Sequence, residues 1–223
     1  MPHPVISALE RQKRNAGRVS IYLDGEYAFG VDEEIVYTHR LAKGMEMTPE
    51  LRTRVEQSAG SVRARIVAEQ CIARRMRSEK ELRTFLSRKE FPSETIDRVV
   101  DDLHRVRLLD DEQFARAFVR DRLLLRPRGP RVLERELLAR GVARDIAARV
   151  VDELAGGGAT MDTARQLAER YLARQQRHAP ALRMRRLQDF LMRKGYDIDT
   201  VRALLREMGA VAQRDPFETD ESA

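Results

Sequence analysis

The chain has 223 residues, of which 35% are charged and 5% aromatic, with no Trp, and it carries a formal net charge of +6 and a pI near 9.8. A single cysteine, Cys71, rules out an intrachain disulfide and the CxxC pairs of a zinc site, and His3, His39, His104 and His178 are too scattered to form a ligand pair at helical spacing. The start, MPHPVISALERQKRN, has no long apolar region, and no stretch reaches the ~18 apolar residues of a membrane span, so a cytoplasmic protein without a membrane partner is expected.

Apolar residues still reach 42%, enough to fold through several small cores rather than one wide one. The first twenty residues are polar and read as loose. RVSIYLDGEYAFGV then alternates around Asp24-Gly25, a dipeptide suited to a two-residue type I′ turn. This predicts strands near Val19–Leu23 and Glu26–Val31, packed on a helix because an isolated hairpin is marginal in water. A short helix follows over Glu33–Leu41, with Asp32 as N-cap and Gly44 just past its end. Thr48-Pro49-Glu50 reads as an N-cap followed by Pro in the first helical turn. From there to Gly209 the period is helical.

The helical part repeats. LRTFLSRKEF (82–91), LERELLARGV (133–142) and LQDFLMRKGY (187–196) align, each with Leu at the first and fifth positions and a hydrophobe at the tenth. The pairs Leu82/Leu86, Leu133/Leu137 and Leu187/Leu191 each share one helix face. A second helix follows each time, marked by Ile96, Val99, Val100 and Leu103, by Ile146, Val150, Val151 and Leu154, and by Val201, Leu204, Leu205 and Met208. A longer helix precedes each pair, near 62–77, 112–125 and 162–177. The expected fold is therefore mainly α: three tandem three-helix repeats in an elongated array, with a small N-terminal β-hairpin segment. The divisions are 1–60 for the hairpin segment, 61–110, 111–155 and 162–209 for the repeats, and 210–223 for an acidic disordered tail. Ser78-Glu79-Lys80-Glu81 has the pattern of a capping box, and Gly156-Gly157-Gly158 reads as a flexible joint.

Charge is unevenly spread. Residues 1–64 carry nine basic and nine acidic side chains; residues 65–111 carry 11 and 10, residues 112–155 carry 10 and 7, and residues 164–209 carry 11 and 5. The basic excess thus grows toward the third repeat. Asp110-Asp111-Glu112 is the one tight acidic cluster at a helix start, but no His or distant carboxylate converges on it at fixed spacing. Capping of the helix that carries Phe114 and Phe118 accounts for it. RPRGPR (126–131) has two readings. It is a solvated loop with a proline helix start, or Arg126, Arg128 and Arg131 form an anion-binding surface around a Gly129 that permits close approach. In the third repeat, Arg185 and Arg186 lie beside the Met184/Leu187/Leu191 face. Arg186 shares a stripe with Arg193, next to Lys194, and Asp189 is placed to pair with Arg193. These seven basic residues are the candidate partner or nucleic-acid surface. No catalytic, cofactor or metal site is expected, because GxxxxGK[ST], GxSxG and HExxH are all absent.

The repeats carry a resemblance. RRMRSEKELRTFLSRKEF (74–91), LLDDEQFARAFVRDR (108–122) and RGPRVLERELLARGV (128–142) resemble the regulatory protein RecX family, modulators of the bacterial recombinase RecA. The first stretch fits loosely and the other two closely, and their order and spacing across two repeats are more specific than any one motif. Glu90 departs from the pattern, standing where the later repeats have Gly141 and Gly195, which puts the turn geometry there in question. The resemblance implies three modules along the groove of a RecA–single-stranded DNA filament, limiting ATP hydrolysis, strand exchange and coprotease activity, without a cofactor and as a monomer. The competing reading is a helix-turn-helix-like module acting directly on DNA. It would favour one basic recognition helix and a dimer stripe, and neither stands out.

Overall fold

The computed structural model describes residues 3–13, 15–177 and 179–213. Two compact units divide them. The first runs to Arg77 and includes Glu81–Leu109, and the second takes in Ser78–Lys80 and the residues from Asp110 onward.

The first unit opens on a three-stranded antiparallel sheet, β1 (Ile6–Gln12), β2 (Asn15–Leu23) and β3 (Glu26–Asp32), in that order. The hairpin turns at Asp24 (φ 50) and Gly25 (φ 93), both in the left-handed region that a type I′ turn requires. The expectation of a loose start is corrected by β1. Its polar sequence hides Ile6, which is fully buried beside Ile21 and Val31, and its backbone pairs with β2 along most of its length. A third strand also gives the hairpin the support that it lacks alone.

Helix α1 (Glu33–Thr38) stops three residues before the expected Leu41. Arg40 turns left-handed (φ 51), and Leu41 donates its N–H back to the Val36 carbonyl at 2.9 Å. This Schellman closure returns Leu41 to the core. Helix α2 (Pro49–Arg74) begins as expected, with Thr48 Oγ1 accepting from the Leu51 N–H, and runs unbroken through the expected boundary at residue 60. Its first half covers the sheet through Leu51 and Val55. Its second half packs Ala64, Ala68 and Cys71 on α3 (Glu79–Ser87) and α4 (Ser93–Arg105).

The second repeat comprises α5 (Asp111–Leu125), α6 (Pro130–Ala139) and α7 (Arg144–Ala155), and the third comprises α8 (Gly157–Ala173), α9 (Pro180–Lys194) and α10 (Ile198–Gln213). Each repeat has its own core, and the six aligned leucines are all fully buried. One backbone device closes the first short helix every time. Phe91 donates to the Leu86 carbonyl at 3.4 Å, Val142 to Leu137 at 3.2 Å, and Tyr196 to Leu191 at 3.2 Å. The residue before each donor is left-handed: Glu90 (φ 63), Gly141 (φ 89) and Gly195 (φ 94). Leu at the fifth position and a hydrophobe at the tenth are thus the two contacts of a Schellman motif. The question raised by Glu90 is answered: it adopts the same turn without glycine, in a conformation that disfavours a Cβ by roughly 1–2 kcal/mol.

Gly156-Gly157-Gly158 is a corner rather than a flexible joint. Helix α7 ends at Ala155, α8 starts at Gly157, and Gly156 serves as the cap of both. Thr160 Oγ1 donates to the Ala155 carbonyl across it. Gly156 approaches the Asp152 carbonyl too closely for a Cβ, and Gly157 supplies a left-handed φ of 53, which composition alone does not distinguish from mobility. The expected acidic tail at 210–223 lies almost wholly outside the described residues.

Candidate functional site

The acidic cluster is structural. Asp110 Oδ1 accepts from the Glu112 and Gln113 N–H groups at 2.9 and 3.0 Å, capping α5. Asp111 Oδ1 accepts from the Glu79 N–H at 2.8 Å. Glu112 binds Arg116 at 3.0 Å and Arg149 at 2.9 Å. Among the described residues no group of three His, Cys, Asp or Glu side chains is placed to hold a metal ion.

The basic loop is more telling. Helix α5 ends as Arg126 donates its N–H to the Arg122 carbonyl at 3.0 Å. Pro127 and Pro130 restrict the following residues, and Gly129 is the N-cap of α6. The free N–H groups at the start of α6 then meet the C-terminal turn of α9: Gly129 donates to the Lys194 carbonyl at 2.8 Å, and Arg131 donates to the Gly195 carbonyl at 3.3 Å. Both sets are groups that helix ends leave unpaired, and they satisfy one another with the helix dipoles in favourable order. The close approach permitted by Gly129 is therefore made to the chain itself.

This junction gathers charge. Arg128 lies close enough to Lys194 to lower its pKa, after burial as the larger cause. The Lys194 ammonium sits 5.2 Å from the centre of the Phe190 ring. Arg126 and Arg131 are exposed at the two ends of the loop, and Arg185, Arg186 and Arg193 are exposed along α9. The sequence shows these residues one by one but not the joint that brings the 126–131 group to Lys194. The expected Asp189–Arg193 ion pair does not form among the described residues. Elsewhere in the second unit several arginines are matched: Arg116 with Glu153 at 2.5 Å, Arg122 with Glu136 at 2.8 Å, and Arg165 with Asp162 and Glu207 at 2.9 and 3.0 Å. Arg126, Arg128, Arg131, Arg185, Arg193 and Lys194 have no carboxylate partner among the described residues.

Sequence reading missed Leu124 and Leu125, which are 80% and 73% exposed at the end of α5. They put an apolar step beside the basic loop. The available signal was the position of Leu124 outside the face of Phe114 and Phe118; Leu125 falls on that face by its i+7 spacing from Phe118 and is exposed because the helix ends there.

Four family models match the chain in order. They are the regulatory protein RecX N-terminal domain over residues 4–48, and the first, second and third RecX three-helix domains over 64–103, 110–151 and 159–205. The chain belongs to the RecX family of regulatory proteins. A RecX from Levilactobacillus brevis is 31% identical over 217 residues, covering 95% of this chain and 79% of the relative. One from Listeria monocytogenes is 28% identical over 202 residues, covering 91% and 75%. A crystal structure of a regulatory protein RecX shares the fold with a TM-score of 0.80 at 24% identity, covering 92% of this chain and 99% of that one. RecX from Lactobacillus salivarius aligns with a TM-score of 0.63 at 19% identity, over 69% and 99%. Family members are named as regulators, and no helix among the described residues is long and apolar enough to cross a membrane.

Proposed function

We propose that the protein binds the RecA–single-stranded DNA filament and restrains its ATPase, strand-exchange and coprotease activities, without chemistry of its own. The observation that carries this reading is the split among the basic residues of the second unit. Arg116 and Arg122 on α5 and Arg165 on α8 are paired with carboxylates, whereas Arg126, Arg128, Arg131, Arg185, Arg193 and Lys194, at the α6 start and along α9, have no carboxylate partner among the described residues. Desolvating Lys194 beside a like charge is unfavourable in the free protein, and an incoming anion relieves it. Phosphates of the strand and carboxylates of the recombinase are the two anions that such a filament offers. Family membership supports regulation as the outcome.

Co-sedimentation with RecA filaments on single-stranded DNA tests the reading. The wild-type chain is expected in the filament pellet, and Arg185→Glu/Arg193→Glu is expected to remain largely in the supernatant with its helicity intact. Equal recovery of both would refute the surface. Failure of the wild type to sediment would refute the function.

A further inference from the structure

A cavity of about 580 Å³ lies elsewhere, in the first repeat between α2 and the α3–α4 turn. Ligand pockets of small molecules span roughly 300–1,000 Å³. Val67, Cys71, Phe85 and Phe91 form its apolar wall. Arg63, Arg74, Arg77 and Lys89 reach it from the rim, where Glu90 also lies, and Glu81 is 3.8 Å from Arg77 Nη1. Arg63, Arg74 and Lys89 have no ion pair among the described residues, and Arg77 Nε is buried without a hydrogen-bond partner.

The other repeats show why the space is open. Val67 and Phe118 are spaced along the chain as Leu82 and Leu133 are, and so are Cys71 and Arg122. In the second repeat the Phe118 ring lies 4.6 Å from the Arg122 guanidinium and 4.4 Å from that of Arg140. Arg122 is tied to Glu136 at 2.8 Å. Phe85 and Lys89 correspond to Phe190 and Lys194 of the third repeat. There Tyr171 stacks on Phe190 with ring centres 4.4 Å apart and planes 21° from parallel, under the Lys194 ammonium. In the first repeat the ring and the lysine are kept, but the spacing that relates Phe85 to Phe190 puts the exposed Ile66 at the place of Tyr171, and Val67 and Cys71 line the space left open. No ring partner of Phe85 is present among the described residues.

We propose that this cavity is a nucleotide site, in which a base stacks on Phe85 as Tyr171 stacks on Phe190 and its phosphate is held by Arg63, Arg74, Arg77 and Lys89. Base–aromatic stacking tolerates any base, because each has a π-face, and guanidinium forks suit phosphate oxygens. Stacking and charge together select a nucleotide over phosphate alone. The nucleotide is either free or one unit of a single strand whose base is unstacked. The inference does not depend on the recombinase reading, since it concerns the isolated chain.

Calorimetry on the full chain, with dTMP, a thymidylate pentamer and inorganic phosphate as separate probes, tests it. At least one of the first two should bind tenfold or more tighter than phosphate. Binding of dTMP identifies a free nucleotide as sufficient, and binding of the pentamer alone identifies the strand. Val67→Phe, which places in the cavity the ring that the second repeat already has, should weaken binding at least tenfold with an unchanged melting curve. Should that variant fail to fold, Arg74→Glu/Lys89→Glu, both exposed, decides with the same expected loss. The proposal is overturned if neither nucleotide probe outbinds phosphate, or if a correctly folded variant binds as the wild type does.

Discussion

Gly129 and Gly195 meet backbone to backbone: a Cβ on Gly129 would clash with the Gly195 carbonyl, and one on Gly195 would lie 2.6 Å from Val132 Cγ2 and 2.7 Å from its nitrogen. The start of α6 is seated on the end of α9 because neither residue has a side chain. Ser78 and Gly141 show the same relation within the second unit. Ser78 Oγ donates to the Arg140 carbonyl at 2.6 Å, and a Cβ on Gly141 would strike the Lys80 side chain.

Gly195→Ala should therefore destabilise the chain by about 2–4 kcal/mol, combining a left-handed residue with overpacking against backbone. Gly209→Ala is the control. Gly209 lies within α10 with nothing near its missing Cβ, so alanine should stabilise it by roughly 0.5–1 kcal/mol. Denaturant melts of the two variants check the contrast, and equal effects would remove the junction from the account.

Leu137→Ala should cost about 2–5 kcal/mol, because Leu137 is fully buried in the core of the second repeat and also supplies the carbonyl that closes α6. An unchanged melting curve would contradict the repeat alignment.

That alignment was the part of the fold most legible in the sequence. The leucine pairs and the hydrophobe five residues after the second leucine recur because each repeat needs the same buried face and the same helix closure. The type I′ turn was legible because Asp24 and Gly25 both tolerate positive φ. Strand β1 was hidden, since its order comes from pairing with β2 and from one buried residue, Ile6, rather than from alternation. The candidate basic residues were visible as charges. Which of them are neutralised was not, because Arg116–Glu153 and Arg165–Glu207 join helices far apart in sequence. The cavity over Phe85 was equally hidden: it depends on what the side chains of α2 fail to fill.

Tyr196 is 1% exposed, and its hydroxyl has no hydrogen-bond partner. Burial pushes its pKa up to about 12 from an ordinary value of 10.0. The unfolded chain thus loses this proton at lower pH than the folded one, and stability falls as pH rises from about 10 through about 12. Tyr196→Phe should remove this part of the alkaline loss, about 3 kcal/mol at its full extent, and should raise stability at neutral pH by roughly 1 kcal/mol, since no buried donor is left unpaired. Urea melts of both proteins at pH 7 and pH 11 measure it, and parallel pH profiles would contradict the assignment.

Arg185→Glu/Arg193→Glu should melt close to the wild type, because exposed charges contribute about 0–1 kcal/mol to folding. If these residues bind phosphate, the log–log salt dependence of binding to single-stranded DNA should flatten by roughly 0.7 for each phosphate that is no longer neutralised. If they bind recombinase carboxylates, affinity for naked DNA should persist while filament binding falls. Full retention of both would place the binding surface on another face.

The central claim is that this chain restrains the recombinase filament through Arg126, Arg128, Arg131, Arg185, Arg193 and Lys194, at the start of α6 and along α9. The most direct measurement is the steady-state ATPase rate of the cognate RecA on single-stranded DNA, titrated with wild-type protein and with Arg185→Glu/Arg193→Glu. The account predicts inhibition by the wild type at substoichiometric amounts and little by the folded variant. An ATPase rate that the wild type leaves unchanged at equimolar protein, or equal inhibition by both, would contradict it.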